Sequence, residues 1–279
     1  MKIHNLLILF FLLVFASCNS KKEVANEDKS LIDLDGNISF TDSAGNAISK
    51  EELSKSTGNF NYQIHGIGNV PQSAQVLHNE ARAFGQAGDY KSAIEKLQKA
   101  HEEAPNWAYP PYDLAYTYLL QDDYENALKY YQLTDKIEPK GFYTSKIALH
   151  TLGREMSGDL KEGVYKSYIS LEWIDNEAEK KEITKMLVST FPDFAPGWNK
   201  YAVFLEGKER MDALEKGLSL DSDIQTKGSL LINKALSLSE VGNHETASEI
   251  LMKIIFDSAS TFGNIELAKF ALNNISENK

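Results

Sequence analysis

Apolar and polar positions change their period twice along the chain. Leu6 to Ala16 (LLILFFLLVFA) is an unbroken apolar run behind the short basic start Met1-Lys2. Its eleven residues are too few for a bilayer span, which takes about 20 in a helix. The length suits the core of a secretory signal peptide. Residues 19–30 (NSKKEVANEDKS) have no apolar period and predict a disordered tether. Between 31 and 71 the period shortens to two. Ile38-Ser39-Phe40-Thr41 alternates, Asp42 to Asn46 is rich in turn formers, and Ala47-Ile48-Ser49 resumes the alternation. That pattern predicts a hairpin. Ser49 and Glu52 then have the spacing of a capping box, which predicts a short helix to about Lys55. From about Gln72 to the C-terminus the period is helical.

The helical part repeats itself. Ala81, Phe84, Gly88, Tyr90, Ala93, Leu97, Ala100 and Pro105 recur 34 residues later as Ala115, Tyr118, Asp122, Tyr124, Ala127, Tyr131, Thr134 and Pro139. The alanines mark close crossings of two helices, where only a small side chain fits. Phe84 and Leu97 are expected to fill the space between neighbouring helices. Gly88 and Asp89 supply the turn, Pro105 ends the second helix, and Pro110-Pro111 opens the next. Gly197 to Ala202 starts a further first helix after the closing Pro192, and its partner, Arg210 to Leu218, arrives early. Ala235 and Ala247 restore the spacing of the crossing alanines around a turn at Gly242-Asn243. About three helices are expected between Gly141 and Phe191, with their pairing open.

This pattern resembles the tetratricopeptide repeat, a unit of two antiparallel helices, over residues 72 to 275. The resemblance implies an all-α chain, a TPR-like α-solenoid, in which stacked pairs bury one another's faces. Asn264 to Ile275 is similar to the solvating cap helix that ends such arrays. Near the start, Phe15-Ala16-Ser17-Cys18 resembles the lipobox of bacterial lipoproteins, with Phe15 where leucine is commonest. That resemblance implies a thioether-linked lipid on Cys18 and removal of residues 1–17. Asn19, in place of an aspartate, points to the outer membrane. The expected organisation is therefore a signal peptide at 1–17, a lipidated tether at 18–30, a small hairpin-bearing segment at 31–71 and the repeat array at 72–279.

Composition narrows the chemistry. The chain has 279 residues, 29 Lys+Arg against 40 Asp+Glu, and a formal net charge of −11. An acidic balance disfavours nucleic acid, whose phosphates are held by clustered Lys and Arg. One cysteine excludes an internal disulfide framework and any cysteine-rich zinc site. None of the six histidines pairs with another at i+3 or i+4, so no helix-borne metal site is expected. Asp33, Asp35 and Asp42 fail the EF-hand spacing, with Ala44 and Leu53 at ligand places of a loop begun at Asp42. Gly66-Ile67-Gly68 lacks the third glycine of a dinucleotide fingerprint. No nucleophile elbow or P-loop is present. The expectation is a non-catalytic chain with no cofactor.

What remains is a surface. In TPR proteins the first helices of the pairs line a groove that holds a peptide or a partner's helix. By that resemblance the groove positions include His78 and Arg82 in the first repeat, and Tyr109, Tyr112 and Tyr116 in the second. The three tyrosines, at i, i+3 and i+7, share one helix face. Tyrosine suits recognition because it joins a rigid apolar ring to a polar tip. Packing between repeats, with the hydroxyls at the rim, is the alternative use. The expected function is a membrane-anchored scaffold binding a protein or peptide in the bacterial envelope. The rivals are a glycan or small-ligand binder using the aromatic stretch from Trp107 to Tyr118, and a hydrolase site where residues 31–71 meet the array.

Overall fold

In the computed structural model, residues 38–42, 60–64 and 70–277 are described. Strand β1 (Ile38–Asp42) pairs antiparallel with β2 (Phe60–Ile64), with Ile38 opposite Ile64 and Phe40 opposite Tyr62. The first arm of the expected hairpin is therefore present. Its partner among the described residues is Phe60–Ile64; the expected turn at 43–46 and second arm at Ala47–Ser49 lie outside the described residues. Cys18, the tether, the short helix expected to Lys55, Asp33, Asp35 and the Gly66–Gly68 loop lie outside the described residues.

Twelve helices follow among the described residues. They are α1 (Gln72–Gln86), α2 (Tyr90–Glu103), α3 (Tyr109–Leu120), α4 (Tyr124–Ile137), α5 (Ser145–Ser157) and α6 (Val164–Ser170). A 3-10 turn, Leu171–Trp173, leads into α7 (Glu177–Thr190), α8 (Ala195–Ala202), α9 (Gly207–Leu218), α10 (Ile224–Glu240), α11 (His244–Phe256) and α12 (Phe262–Glu277). The unsettled stretch from 141 to 191 thus holds three helices and the 3-10 turn. Pro192 follows α7, as Pro105 follows α2 and Pro139 follows α4.

The pairs form for the reasons the pattern implies. Ala81, Ala93, Ala115, Ala127, Ala235 and Ala247 are all buried at the helix crossings. At the turn of each of these pairs one residue takes a left-handed conformation: Gly88 at φ 79°, Asp122 at φ 60° and Gly242 at φ 84°. Glycine accepts that region without cost, and aspartate is among the few others that visit it. The next residue caps the second helix. Asp89 accepts from the Ser92 N–H and Asp123 from the Asn126 N–H, both at 3.1 Å, satisfying amides that have no partner inside the helix. Helix α6 is capped from its neighbour, since Glu155 accepts from the N–H groups of Gly163 and Tyr165 at 2.8 and 2.7 Å.

Phe84 departs from its expected role. It is 36% exposed, whereas its counterpart Tyr118 stacks on Tyr130 beside Leu97. The difference is position: Tyr118 has a preceding helix pair to lie against, and Phe84 is on the first.

The C-terminal half also folds back on the middle. Helix α10 packs against α5. The Lys140 ammonium donates to the Ser258 carbonyl, and the Phe262 N–H donates to the Lys140 carbonyl at 2.8 Å. Gln225 Nε2 donates to the Tyr143 carbonyl at 2.7 Å. Asp221 accepts from His150 Nε2 at 3.2 Å and lies 3.7 Å from Arg154 Nε. Loop 138–146 is thus the seam on which the starts of α10 and α12 close.

Candidate functional site: the aromatic face of the first helices

The candidate residues lie on α1 and α3, the first helices of their pairs. His78 is buried, with Nε2 2.8 Å from Asp113 Oδ2. Its ring meets Trp107 edge-on at 4.9 Å and Tyr109 at 5.7 Å. Arg82, one turn further along α1, is exposed. Tyr109 is half-buried, with its hydroxyl 2.8 Å from that of Tyr143. Tyr112 is half-buried and its hydroxyl is 2.9 Å from Thr144 Oγ1, which is in turn 2.9 Å from the Tyr165 hydroxyl. Burial pushes the Tyr112, Tyr131 and Tyr165 phenols above their ordinary range, because a phenolate loses its hydration there. The Tyr112 and Tyr165 hydroxyls, on either side of Thr144, serve as neutral hydrogen-bonding groups.

The rings form a continuous ladder. From Tyr109 it passes to Phe142 (4.8 Å) and Tyr143 (5.7 Å), and both meet Tyr112. Tyr112 then meets Tyr131 at 5.7 Å, followed by Tyr165, Tyr168 and Phe194. Most contacts are edge-to-face or tilted, the arrangements favoured by the ring quadrupole. The structure therefore brings His78, Tyr109 and Tyr112 into one cluster.

Tyr116 stands apart, where its hydroxyl accepts from Trp173 Nε1 at 3.0 Å. Trp173, on the 3-10 turn, is 74% exposed, so its indole N–H is tied down while its ring faces solvent. Behind it, the Lys200 ammonium lies 5.7 Å from the centre of the Tyr168 ring, a cation–π placement. Burial lowers the Lys200 pKa, and the nearby Glu172 carboxylate opposes that shift. Burial likewise raises Glu172, against the pull of Lys200 and Lys180.

The stretch from Trp107 to Tyr118 does not form an open stacking platform, because Trp107 is only 8% exposed and is held between His78 and Tyr109. The exposed rings of this region are Trp173 and Tyr143, the latter 42% exposed. Neither was singled out from sequence. Tyr143 was within reach, since it is one 34-residue step from Tyr109, whose hydroxyl it meets. Trp173 carries no such signal, because the 3-10 turn falls outside the repeat register. Among the described residues no group of three or more His, Cys, Asp or Glu side chains is placed to hold a metal ion, and no helix is long and apolar enough to cross a membrane.

Comparison with known proteins agrees with the helix geometry. Residues 86–143 match the profile of the tetratricopeptide repeat family. No curated protein matches the chain. Among solved structures, MamA (residues 41 to the end) from Desulfovibrio magneticus RS-1 is 15% identical, with a TM-score of 0.32, over 66% of this chain and 94% of that one. A tetratricopeptide repeat protein from Parabacteroides merdae ATCC 43184 is 17% identical, with a TM-score of 0.31, over 73% of this chain and 71% of that one. The match places a tetratricopeptide repeat at residues 86–143, the stretch in which the crossing alanines and left-handed turn residues of α1 to α4 recur.

Proposed function

We propose that the chain is a lipid-anchored scaffold of the bacterial envelope, held at the outer membrane through Cys18, that binds a protein partner on the first-helix face and catalyses nothing. The observation that carries the binding half is the Tyr116–Trp173 pair. A large ring that is fixed by its own N–H yet open to solvent loses little freedom on binding, and such residues dominate contact energy. Repeat arrays present extended surfaces of this kind. The anchoring half rests on the lipobox-like residues ending in Cys18 and on the polar stretch after them. Acyl chains give stable attachment at about 0.8 kcal/mol per buried CH₂.

A photo-crosslinking residue at Trp173, placed in the full-length protein in its native cells, tests the binding half. One specific adduct, absent when the crosslinker is at exposed Met186, is the expected result. Recovery of no specific protein, alongside direct binding of a small ligand, overturns it. The exposed Trp173 ring also suits a sugar face, so a saturable change in its fluorescence with oligosaccharides would favour the glycan reading. Cys18→Ala is expected to abolish lipid labelling and release the protein from membranes. Unchanged fractionation of that variant would refute the anchor.

A further inference from the structure

The first-helix face carries a carboxylate that its neighbours leave half used. Asp113 follows Tyr112 on α3, and its side chain is 27% exposed. Its Oδ2 pairs with His78 Nε2 at 2.8 Å. Among the described residues Oδ1 has no hydrogen-bond or ion-pair partner, and Arg82, one turn beyond His78, forms no ion pair with it. Burial is the main cause that raises the Tyr116 and Tyr143 phenols, and the Asp113 charge adds to it at both. Asp113 is therefore within electrostatic reach of both hydroxyls. Glu172 also acts on Tyr116, but Lys200 and Lys180 offset that carboxylate. No lysine or arginine does the same for Asp113 among the described residues.

Tyr143 stands beside it in an unusual backbone state. Its φ is 47°, in the left-handed region that a bulky side chain rarely adopts. Its surroundings hold it there. The hydroxyl is 2.8 Å from that of Tyr109, the carbonyl accepts from Gln225 Nε2 at 2.7 Å, and the ring meets Phe142 and Tyr112 at 4.7 and 5.3 Å. The ring nevertheless remains 42% exposed. Asp122, the other left-handed residue that is not glycine among those described, serves the α3–α4 turn. At Tyr143 the same backbone state leaves an aromatic ring facing solvent. Backbone held uphill by its neighbours concentrates at ligand clamps.

We infer that Asp113 and Tyr143 form a seat for an arginine side chain of the protein partner, with the guanidinium against the free Asp113 oxygen and the Tyr143 ring. The inference rests on the proposed role of the first-helix face in binding a protein, and it names the chemistry that face selects. A planar guanidinium stacks on an aromatic ring and donates in a fixed fork to a carboxylate. The lysine ammonium is a compact, strongly hydrated charge and fits such a seat less well. An acidic side chain is repelled by Asp113 and by Glu172. The formal net charge of −11 draws a basic partner from a distance, and the seat selects among such partners by shape. Trp173, tied to Tyr116 one turn along α3 from Tyr112, offers a second contact to the chain that carries the arginine.

Peptide retention tests the seat. Short peptides of random sequence with a fixed central residue, arginine in one set and citrulline in the other, are immobilised and probed with the full chain. Citrulline keeps the shape of arginine and loses its charge. The arginine set is expected to retain about tenfold more protein. Asp113→Asn, whose amide can still meet His78, brings the two sets level. Tyr143→Leu, which leaves the Asp113–His78 pair in place, lowers retention on the arginine set about fivefold. Glu102→Gln removes one charge at an exposed site of α2 and leaves the preference intact, which separates the seat from general attraction. Equal retention of wild type on the two sets overturns the proposal, as does an arginine preference that survives Asp113→Asn. Equal retention that falls with Trp173→Ala removes the arginine seat and leaves the protein-binding face standing. No retention on either set overturns the seat as well, and crosslinking at Trp173 then decides the face by itself.

Discussion

Gly228 lies in the middle of α10, where helix propensity alone says alanine should be better by about 1 kcal/mol. The structure predicts the opposite. A Cβ at Gly228 would overlap the Asn264 side-chain amide, with Asn264 Cγ 2.7 Å away. Asn264 is 2% exposed and cannot swing into solvent without unpicking α12. Its Nδ2 donates to the Gln225 carbonyl at 2.9 Å, and its Oδ1 accepts from the Ser229 hydroxyl at 3.1 Å. Overpacking costs about 1–3 kcal/mol, and displacing a buried amide from its partners costs about 1–3 kcal/mol more. Against the propensity gain, Gly228→Ala is expected to destabilise by about 2–3 kcal/mol, lowering Tm by roughly 4–10 °C for an array of this size. Urea denaturation followed by circular dichroism measures it. Gly153→Ala is the control: Gly153 is inside α5 with nothing within 4 Å of its would-be Cβ, so that variant gains up to about 1 kcal/mol. Asn264→Ala in the Gly228→Ala background should cost less than the two changes added separately. A Gly228→Ala protein as stable as the Gly153→Ala one would refute the close approach of α10 and α12, and with it the account of how the C-terminal half reaches the Lys140 seam.

Three further outcomes follow from the same geometry. Glu138 is 4% exposed, and burial raises its pKa to about 7 from an ordinary 4.5. Because the folded value is the higher one, its stabilising contribution is complete below pH 4.5 and lost as pH rises through 7, so wild type should lose roughly 3 kcal/mol more than Glu138→Gln between pH 4 and 8. Parallel pH profiles for the two proteins would refute this. Tyr112→Phe removes one end of the Tyr112–Thr144–Tyr165 chain and should cost about 1 kcal/mol by denaturant titration. No loss would mean the hydroxyl is satisfied elsewhere. Trp173→Ala, at a ring 74% exposed, should change stability by less than about 0.5 kcal/mol while lowering the recovery of the partner in an affinity pull-down without crosslinker at least tenfold. Undiminished capture would move the binding surface away from Trp173.

The helix pairs were legible because their cause is local. Ala81 and Ala93 must be small where two helices joined by a three-residue turn cross, and that demand recurs in the α3–α4 and α10–α11 pairs, so it is written into the chain at a fixed spacing. The same holds for Gly88, Asp122 and Gly242, where the turn itself needs a left-handed residue. The site was legible in part. Tyr109 and Tyr112 could be placed on one face of α3 from spacing, and Tyr143 could have been found one repeat beyond Tyr109. Which hydroxyls face inward could not, because Thr144 meets Tyr112 from just before α5 and is itself met by Tyr165 from α6.

The N-terminal ribbon shows the same boundary. Alternation marked Ile38 to Thr41 as a strand, since period two is a property of the strand itself. Its pairing with Phe60–Ile64 could not be read the same way, because pairing depends on which distant segment lies alongside. Repeat period, helix ends and turn residues are nearest-neighbour properties, and the amino-acid order carries them in full. The closing of α10 and α12 on loop 138–146 belongs to another class. It arises from small rotations between successive helix pairs, added over the array until residues more than a hundred positions apart, such as Lys140 and Ser258, come into contact. No single pair encodes that sum, which emerges when all of them are stacked.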